Sequence, residues 1–281
     1  MIGDSRNWQR FRQKDILNIE NMLRNVENNY VGACWRFLER DAERDNIWTL
    51  YSKDKKIKAI IINSKSSLIP VLFGLKEIPE PKFLESLVKK KKLHSIQGIA
   101  GEVSILETAM ERNKRKPRDA YDYDLMALDK LPAQDVKYPS GLVLRIPRLT
   151  DLDALAPLQA GYEREEVLPK GSVFSPAASR VNLANIVASG KILAAVLNGK
   201  LVGKINVNAH SFTRYMVGGV YVHPDFRGMG IARAMTSAFI ASLINEGMGI
   251  TLFVKKANLA ARKLYLGLGF TIMGDYRITY F

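Results

Sequence analysis

The sequence predicts an α/β fold, a mixed sheet of antiparallel and parallel strands packed by helices, and it predicts two such units in tandem. Three observations carry this. Runs of four to eight apolar and β-branched residues alternate with longer segments of helical period along most of the chain. The order strand-strand-strand-helix-strand-helix-strand is met twice, at an offset of roughly 150 residues. The length, 281 residues, is long for one domain and comfortable for two that each bury a core.

Residues 15–28 and 31–44 read as two helices. Segments 47–52 and 57–63 form a hairpin around Lys53-Asp54-Lys55-Lys56, and 68–73 is a third strand. A helix follows over 81–92, its lysine run Lys89–Lys92 being the solvated C-terminal end, where positive charge suits the helix dipole. Strand 96–100, helix 103–113 and strand 121–128 complete the first series. Between 131 and 141 lie Pro132, Pro139 and Gly141 without periodicity, which marks a linker and divides the chain into 1–135 and 136–281.

The second series opens with a short strand at 142–145 and a helix from 152 to 166, capped by Thr150-Asp151. Ser175-Pro176 starts a further helix to 189. Strands 192–197 and 201–208 are joined by Asn198-Gly199, the strongest hairpin signal in the chain. Strand 216–222, helix 231–245, strand 250–254, helix 259–266 and a strand or hairpin pair at 270–280 follow.

The most informative stretch is Val220-Tyr221-Val222-His223-Pro224-Asp225-Phe226-Arg227-Gly228-Met229-Gly230-Ile231-Ala232. An alternating strand runs into a Pro turn, an Arg, two close glycines and a long helix. A helix N-terminus leaves backbone N–H groups unpaired and carries partial positive charge, and glycines let an anion approach that backbone. The arrangement reads as a pyrophosphate cradle. At the matching place the first series has Phe73-Gly74-Leu75-Lys76-Glu77-Ile78-Pro79-Glu80-Pro81, whose acids and prolines offer no such nest.

Downstream, Asn258-Leu259-Ala260-Ala261-Arg262-Lys263-Leu264-Tyr265-Leu266-Gly267-Leu268-Gly269-Phe270 places Asn258, Ala261 and Tyr265 on one helical face. Taken with Arg-x-x-Gly-x-Ala in the turn, the pair of motifs resembles the GNAT-type N-acetyltransferases over about residues 140–281. The resemblance implies a tandem of GNAT-like acyl-CoA N-acyltransferase folds, the first half, 1–135, degenerate and the second, 136–281, catalytic. It implies that the backbone of Arg227, Gly228, Met229, Gly230, Ile231 and Ala232 binds the CoA pyrophosphate. It implies that Val220, Tyr221 and Val222 hydrogen-bond the pantetheine arm, and that Asn258 and Ala261 adjoin it. Tyr265 would protonate the departing thiolate of acetyl-CoA, although it also reads as an aromatic core residue with its hydroxyl at the surface. The reaction would be direct attack of an amine on the thioester, polarised by a backbone N–H of the 219–222 strand.

A base or water chain must deprotonate that amine. Of the eight acids in 136–281, three cluster as Glu163-Arg164-Glu165-Glu166, in the region that borders the acceptor pocket in this family. Glu166 and Glu165 are the candidates for base or for holding a cationic amine; the cluster equally reads as a solvated helix end. Lys255-Lys256, next to the second motif, would approach the 3′-phosphate of CoA or form a solvated loop.

Bulk properties limit the alternatives. The formal charge is +14. Residues 1–135 hold 25 basic against 20 acidic side chains and 136–281 hold 17 against 8, so scarce acids make most of the excess. Such a field favours anionic ligands. Basic clusters interleaved with aromatics are not evident, so nucleic acid is not the expected partner. A small-molecule or peptide amine is, and a homodimer stays open. One cysteine permits no internal disulfide, three histidines show no metal spacing, and no apolar run would span a bilayer, so no metal and a cytoplasmic setting are expected. Two other functions remain in view: an aminoacyl-tRNA-dependent transferase, and a non-catalytic CoA-binding regulatory module.

Overall fold

The computed structural model describes residues 8–40, 46–64, 66–78, 81–89, 93–132 and 136–281. Its elements are β1 (Trp8–Arg10), α1 (Ile16–Leu38), β2 (Asn46–Tyr51), β3 (Ile57–Ser64), β4 (Ser67–Val71), α2 (Pro81–Lys89), β5 (Ser95–Ile99), α3 (Ala100–Arg112) and β6 (Asp119–Leu128). There follow β7 (Leu142–Arg145), α4 (Leu152–Tyr162), α5 (Pro176–Ala188), β8 (Ile192–Leu197), β9 (Lys200–His210) and β10 (Arg214–Val222). The last four are α6 (Ile231–Asn245), β11 (Gly249–Lys255), α7 (Leu259–Gly267) and β12 (Thr271–Tyr280). The mixed α/β architecture expected from the sequence is present.

Two compact units are formed, and neither is a continuous piece of chain. The first holds residues 1–125, 253–257 and 272–281; the second holds 126–252 and 258–271. This division differs from the break placed at 135/136, and residues 133–135 of that linker lie outside the described residues, as do Lys90–Lys92 of the lysine run. The main difference is β12. Instead of closing the second series it pairs antiparallel with β5, Tyr276 opposite Ile99 and Tyr280 opposite Ser95. Its sequence explains the choice. Tyr276 stacks on Phe253 at 4.9 Å between ring centroids, Tyr276 and Ile278 pack with Tyr123 and Leu125, and Arg277 pairs with Glu107 and Asp122.

In the first unit the strands run β1-β2-β3-β4-β5-β12-β6. The span α1 consists of two helical stretches joined across a kink at Tyr30 (φ −129°, ψ 27°), which falls between the helices predicted at 15–28 and 31–44. Neither glycine nor proline separates the two stretches, and one buried stripe of Ile19, Leu23, Glu27, Val31 and Cys34 runs through both at helical spacing, so packing holds the helix across the kink. Residues 41–44 of the second predicted helix lie outside the described residues.

In the second unit the order is β11-β10-β9-β8-β7. Asn198 (φ 48°) and Gly199 (φ 82°) make the β8–β9 turn in the left-handed conformations a two-residue hairpin needs. Leu155 and Leu158 of α4, Leu183 and Val187 of α5, and Ile192, Ala194 and Tyr221 of the sheet bury one core against each other. Helix α6 adds Ile231, Ala234, Met235, Phe239, Ile240 and Leu243. Two irregularities of β10 shape the site. Its parallel pairing with β11 covers Arg214–Met216 only, and its ladder to β9 shifts register between Gly218 and Tyr221.

Candidate active site

Strand β10 ends at Val222 and leads through a short turn, Pro224–Phe226, to Arg227. Gly228 (φ 80°) and Gly230 (φ 79°) are both left-handed, and Gly230 is the N-cap of α6 without any side-chain cap bond. The first N–H groups of α6 have no partner within the helix. A Cβ built on either glycine would meet no atom within 4 Å, so open space lies over this backbone.

That space belongs to a cleft of about 380 Å³ in the second unit. From the turn, Val220, Tyr221, Val222, Arg227, Gly228, Gly230, Ile231 and Ala232 line it; from α7, Asn258, Ala261 and Tyr265 do. Met229 is half exposed and is not among the lining residues. Phe226, Arg233, Ala260 and Leu264 also line the cleft and were not singled out in the sequence. A shallower groove shares Gly228, Gly230 and Arg233 and adds Arg262 and Lys263. Lys255 and Lys256 have other partners: the Lys255 amine lies 5.1 Å from the Tyr121 ring centroid, and Lys256 pairs with Asp275.

Glu165 and Glu166 line the cleft too, and they sit on a π-helical turn, Glu163–Val167, that continues α4 where ordinary helix was predicted. The three acids have separate tasks. Glu163 accepts from Gln159 at 2.7 Å. Glu165 takes both a Tyr221 hydroxyl bond at 2.7 Å and an ion pair with Arg227 at 2.8 Å. Burial raises its pKa, but the bonds from Tyr221 and Arg227 outweigh burial and the net shift is downward. Glu166 accepts from the Asn258 amide at 3.0 Å. The same Asn258 caps α7, its Oδ1 accepting from Ala261 N at 3.0 Å.

Tyr265 is buried, its ring edge-on to Phe270 at 5.7 Å. Burial, with Tyr162 and Glu166 nearby, drives its pKa far above that of a free phenol, so its proton is retained at neutral pH. Such a group offers its O–H at neutral pH, and burial makes it a weaker acid than a free phenol.

Behind β10 lies a polar network that the sequence reading missed. Lys204 of β9 is fully buried. Its Nζ donates to Asn206 Oδ1 at 2.9 Å and to the Gly219 carbonyl at 3.1 Å, and lies 4.9 Å from the Tyr162 ring centroid. Burial pushes its pKa down to about 7, against the opposing pull of Glu163. Asn206 in turn donates to Asn208. Gly219 is left-handed (φ 61°), and a Cβ there would collide with the Asn206 amide.

Comparison with known proteins bears on this region. Residues 160–270 match the model of the Acetyltransferase (GNAT) family. A stretch of 59 residues is 46% identical to the mycothiol acetyltransferase of Thermobispora bispora and covers 20% of each chain. Another of 76 residues is 40% identical to an acetyltransferase of Pectobacterium atrosepticum and covers 26% of this chain and 52% of that one. The chain thus spans about a fifth and about half of these curated relatives. In fold, a tandem GNAT protein from the clavulanic acid biosynthesis pathway superposes over 97% of each chain with a TM-score of 0.60 at 11% identity. Among the described residues no helix is long and apolar enough to cross a membrane.

Proposed function

We propose that this protein transfers the acetyl group of acetyl-CoA to a primary amine by direct attack; the match of residues 160–270 to the GNAT acetyltransferase family model and the likeness in fold to a tandem GNAT protein support this reading. One observation carries the reading. A single cleft brings an uncapped helix N-terminus behind two left-handed glycines together with a buried, protonated tyrosine. The residues fit a pyrophosphate: the space over Gly228 and Gly230 is open, and Arg227 is at hand.

Backbone N–H groups over 228–232 would hold the pyrophosphate, and Arg233, Arg262 and Lys263 along the adjoining groove would meet the remaining phosphate charge. Bound there, acetyl-CoA supplies an acyl group already activated as a thioester. Val220 presents its N–H to the acyl carbonyl, Tyr265 gives its proton to the departing sulfur, and Glu166 takes the proton of the amine directly or through one water. Asn258 keeps Glu166 aimed at the cleft. The acceptor is a small molecule or peptide with a primary amine. The second unit, residues 126–252 and 258–271, is the catalytic portion, and the phosphate turn belongs to it.

Titration calorimetry tests the reading. Acetyl-CoA binds the intact protein, and Gly230→Glu, which sets a carboxylate over the cradle on a left-handed backbone, abolishes the heat. No binding by the wild type, or unchanged binding by the variant, refutes it.

A further inference from the structure

We infer that Lys204 is a positioning residue that fixes and polarises the Gly219–Val220 peptide unit, so that the Val220 N–H points at the acyl carbonyl; this rests on the acetyl-transfer reading above. The case begins with a cost. A lysine amine removed from water forfeits a large hydration energy. Between Val202 and Ile205, both fully buried, a methionine would fill the same volume without that cost. Packing does not explain the lysine.

What the amine touches does. The β9–β10 ladder shifts between Gly218 and Tyr221, so no regular register orients the peptide that joins Gly219 to Val220. Lys204 Nζ grips its carbonyl at 3.1 Å. A Cβ on Gly219 would crowd both the Asn206 amide and this amine, so the glycine is what lets them reach the backbone. Among the described residues the peptide bonds are trans, and in a trans peptide C=O and N–H point in opposite directions. With the Gly219 oxygen turned to Lys204, the Val220 N–H is turned away from it, and Val220 lines the cleft.

The same bond tunes the donor. Drawing electron density toward a carbonyl oxygen makes the N–H of that amide a stronger donor, and a charged donor draws most. Acyl transfer builds negative charge on the carbonyl oxygen, where a preset donor acts most strongly. Protonated or neutral, the amine has hydrogens to give. The surroundings keep it in place: Asn206 on the same face of β9, the Tyr162 ring above it and Glu163 at longer range.

Isotope-edited infrared spectroscopy of acetyl-CoA labelled at its carbonyl carbon tests this without any acceptor amine. On the wild type, binding lowers the carbonyl stretch. In Lys204→Met the band returns most of the way to its free position, while the calorimetric Kd stays within the error of the wild type and Tm holds or rises. Lys204→Gln, a neutral donor, keeps part of the shift. A full wild-type shift in Lys204→Met overturns the inference, as does a loss of shift that only parallels a fall in Tm and affinity. Should the Met variant not fold, a full shift in Lys204→Gln overturns it. A wild type that binds no acetyl-CoA refutes the parent reading instead, and is told apart by the absence of heat.

Discussion

Glu165 holds the guanidinium that a bound pyrophosphate would want. Its carboxylate is paired with Arg227 at 2.8 Å and adds negative charge at the mouth of the cradle. Replacing it with glutamine frees Arg227 and removes the repulsion, so Glu165→Gln tightens acetyl-CoA binding severalfold, with the gain shrinking in high salt. Weaker binding would show that Glu165 orders Arg227 for the ligand rather than competing with it. Tyr265→Phe keeps the ring and loses the proton, and should lower turnover by ~10²–10⁴-fold with the calorimetric Kd unchanged. Lys204 carries a pH signature. Its folded pKa of about 7 lies below its ordinary 10.5, so the unfolded chain binds the extra proton between those values. The destabilisation is full below pH 7 and fades as pH rises toward 10.5. The stability advantage of Lys204→Met, read by urea unfolding, is therefore largest in acid and vanishes in alkali; the opposite slope would mean a lysine that folds charged and paired. Gly228, Gly230 and Tyr265 were legible because each belongs to a short motif, Arg227–Ala232 or Asn258–Tyr265, whose spacing is local in sequence. Lys204 was not. Period-two alternation puts Lys204, Asn206 and Asn208 on one face of β9 that reads as solvated, and only tertiary contact with Tyr162 and Gly219 covers it.

At the scale of elements, strands and helices followed their periodicity, and the misses share a cause. The helix predicted to residue 166 turns into a π-helical turn at Glu163, because Glu165 is drawn to Arg227 and Glu166 to Asn258, partners far away in sequence. A π turn interrupts helices at functional sites often enough to fit this place. Helix α7 shows the same coupling from the other side. The Asn258 side chain both caps the helix and holds Glu166. Asn258→Ala should cost about 1 kcal/mol in urea unfolding from the lost cap. Asn258→Ser restores the cap without reaching Glu166, so its stability recovers while any activity resting on Glu166 does not. Equal recovery of both would separate Glu166 from the chemistry.

Across the whole molecule, element order was legible but partnership was not. A terminal strand with Tyr276, Arg277 and Ile278 fits many sheets, and its choice of β5 depends on Phe253, Glu107 and Asp122, which no local pattern announces. Ending the chain at Phe270 should therefore disturb the first unit more than the cleft. Hydrogen exchange would show lost protection at residues 95–99, the partner of β12. Retained protection there would mean that β4 alone holds β5.

The exchange of segments between units also sets an order in time. During synthesis a domain made first commonly folds first, while the rest is still being translated. Here residues 8–125 leave the ribosome without β12, the strand that lies between β5 and β6 in the order of their sheet. The earliest part of the chain must therefore wait, its β5 edge unmatched, until residues 271–280 emerge. An interrupted translation product would expose that edge to other chains. The emergence of residues 271–280, rather than of the first hundred residues, decides whether the early unit is completed.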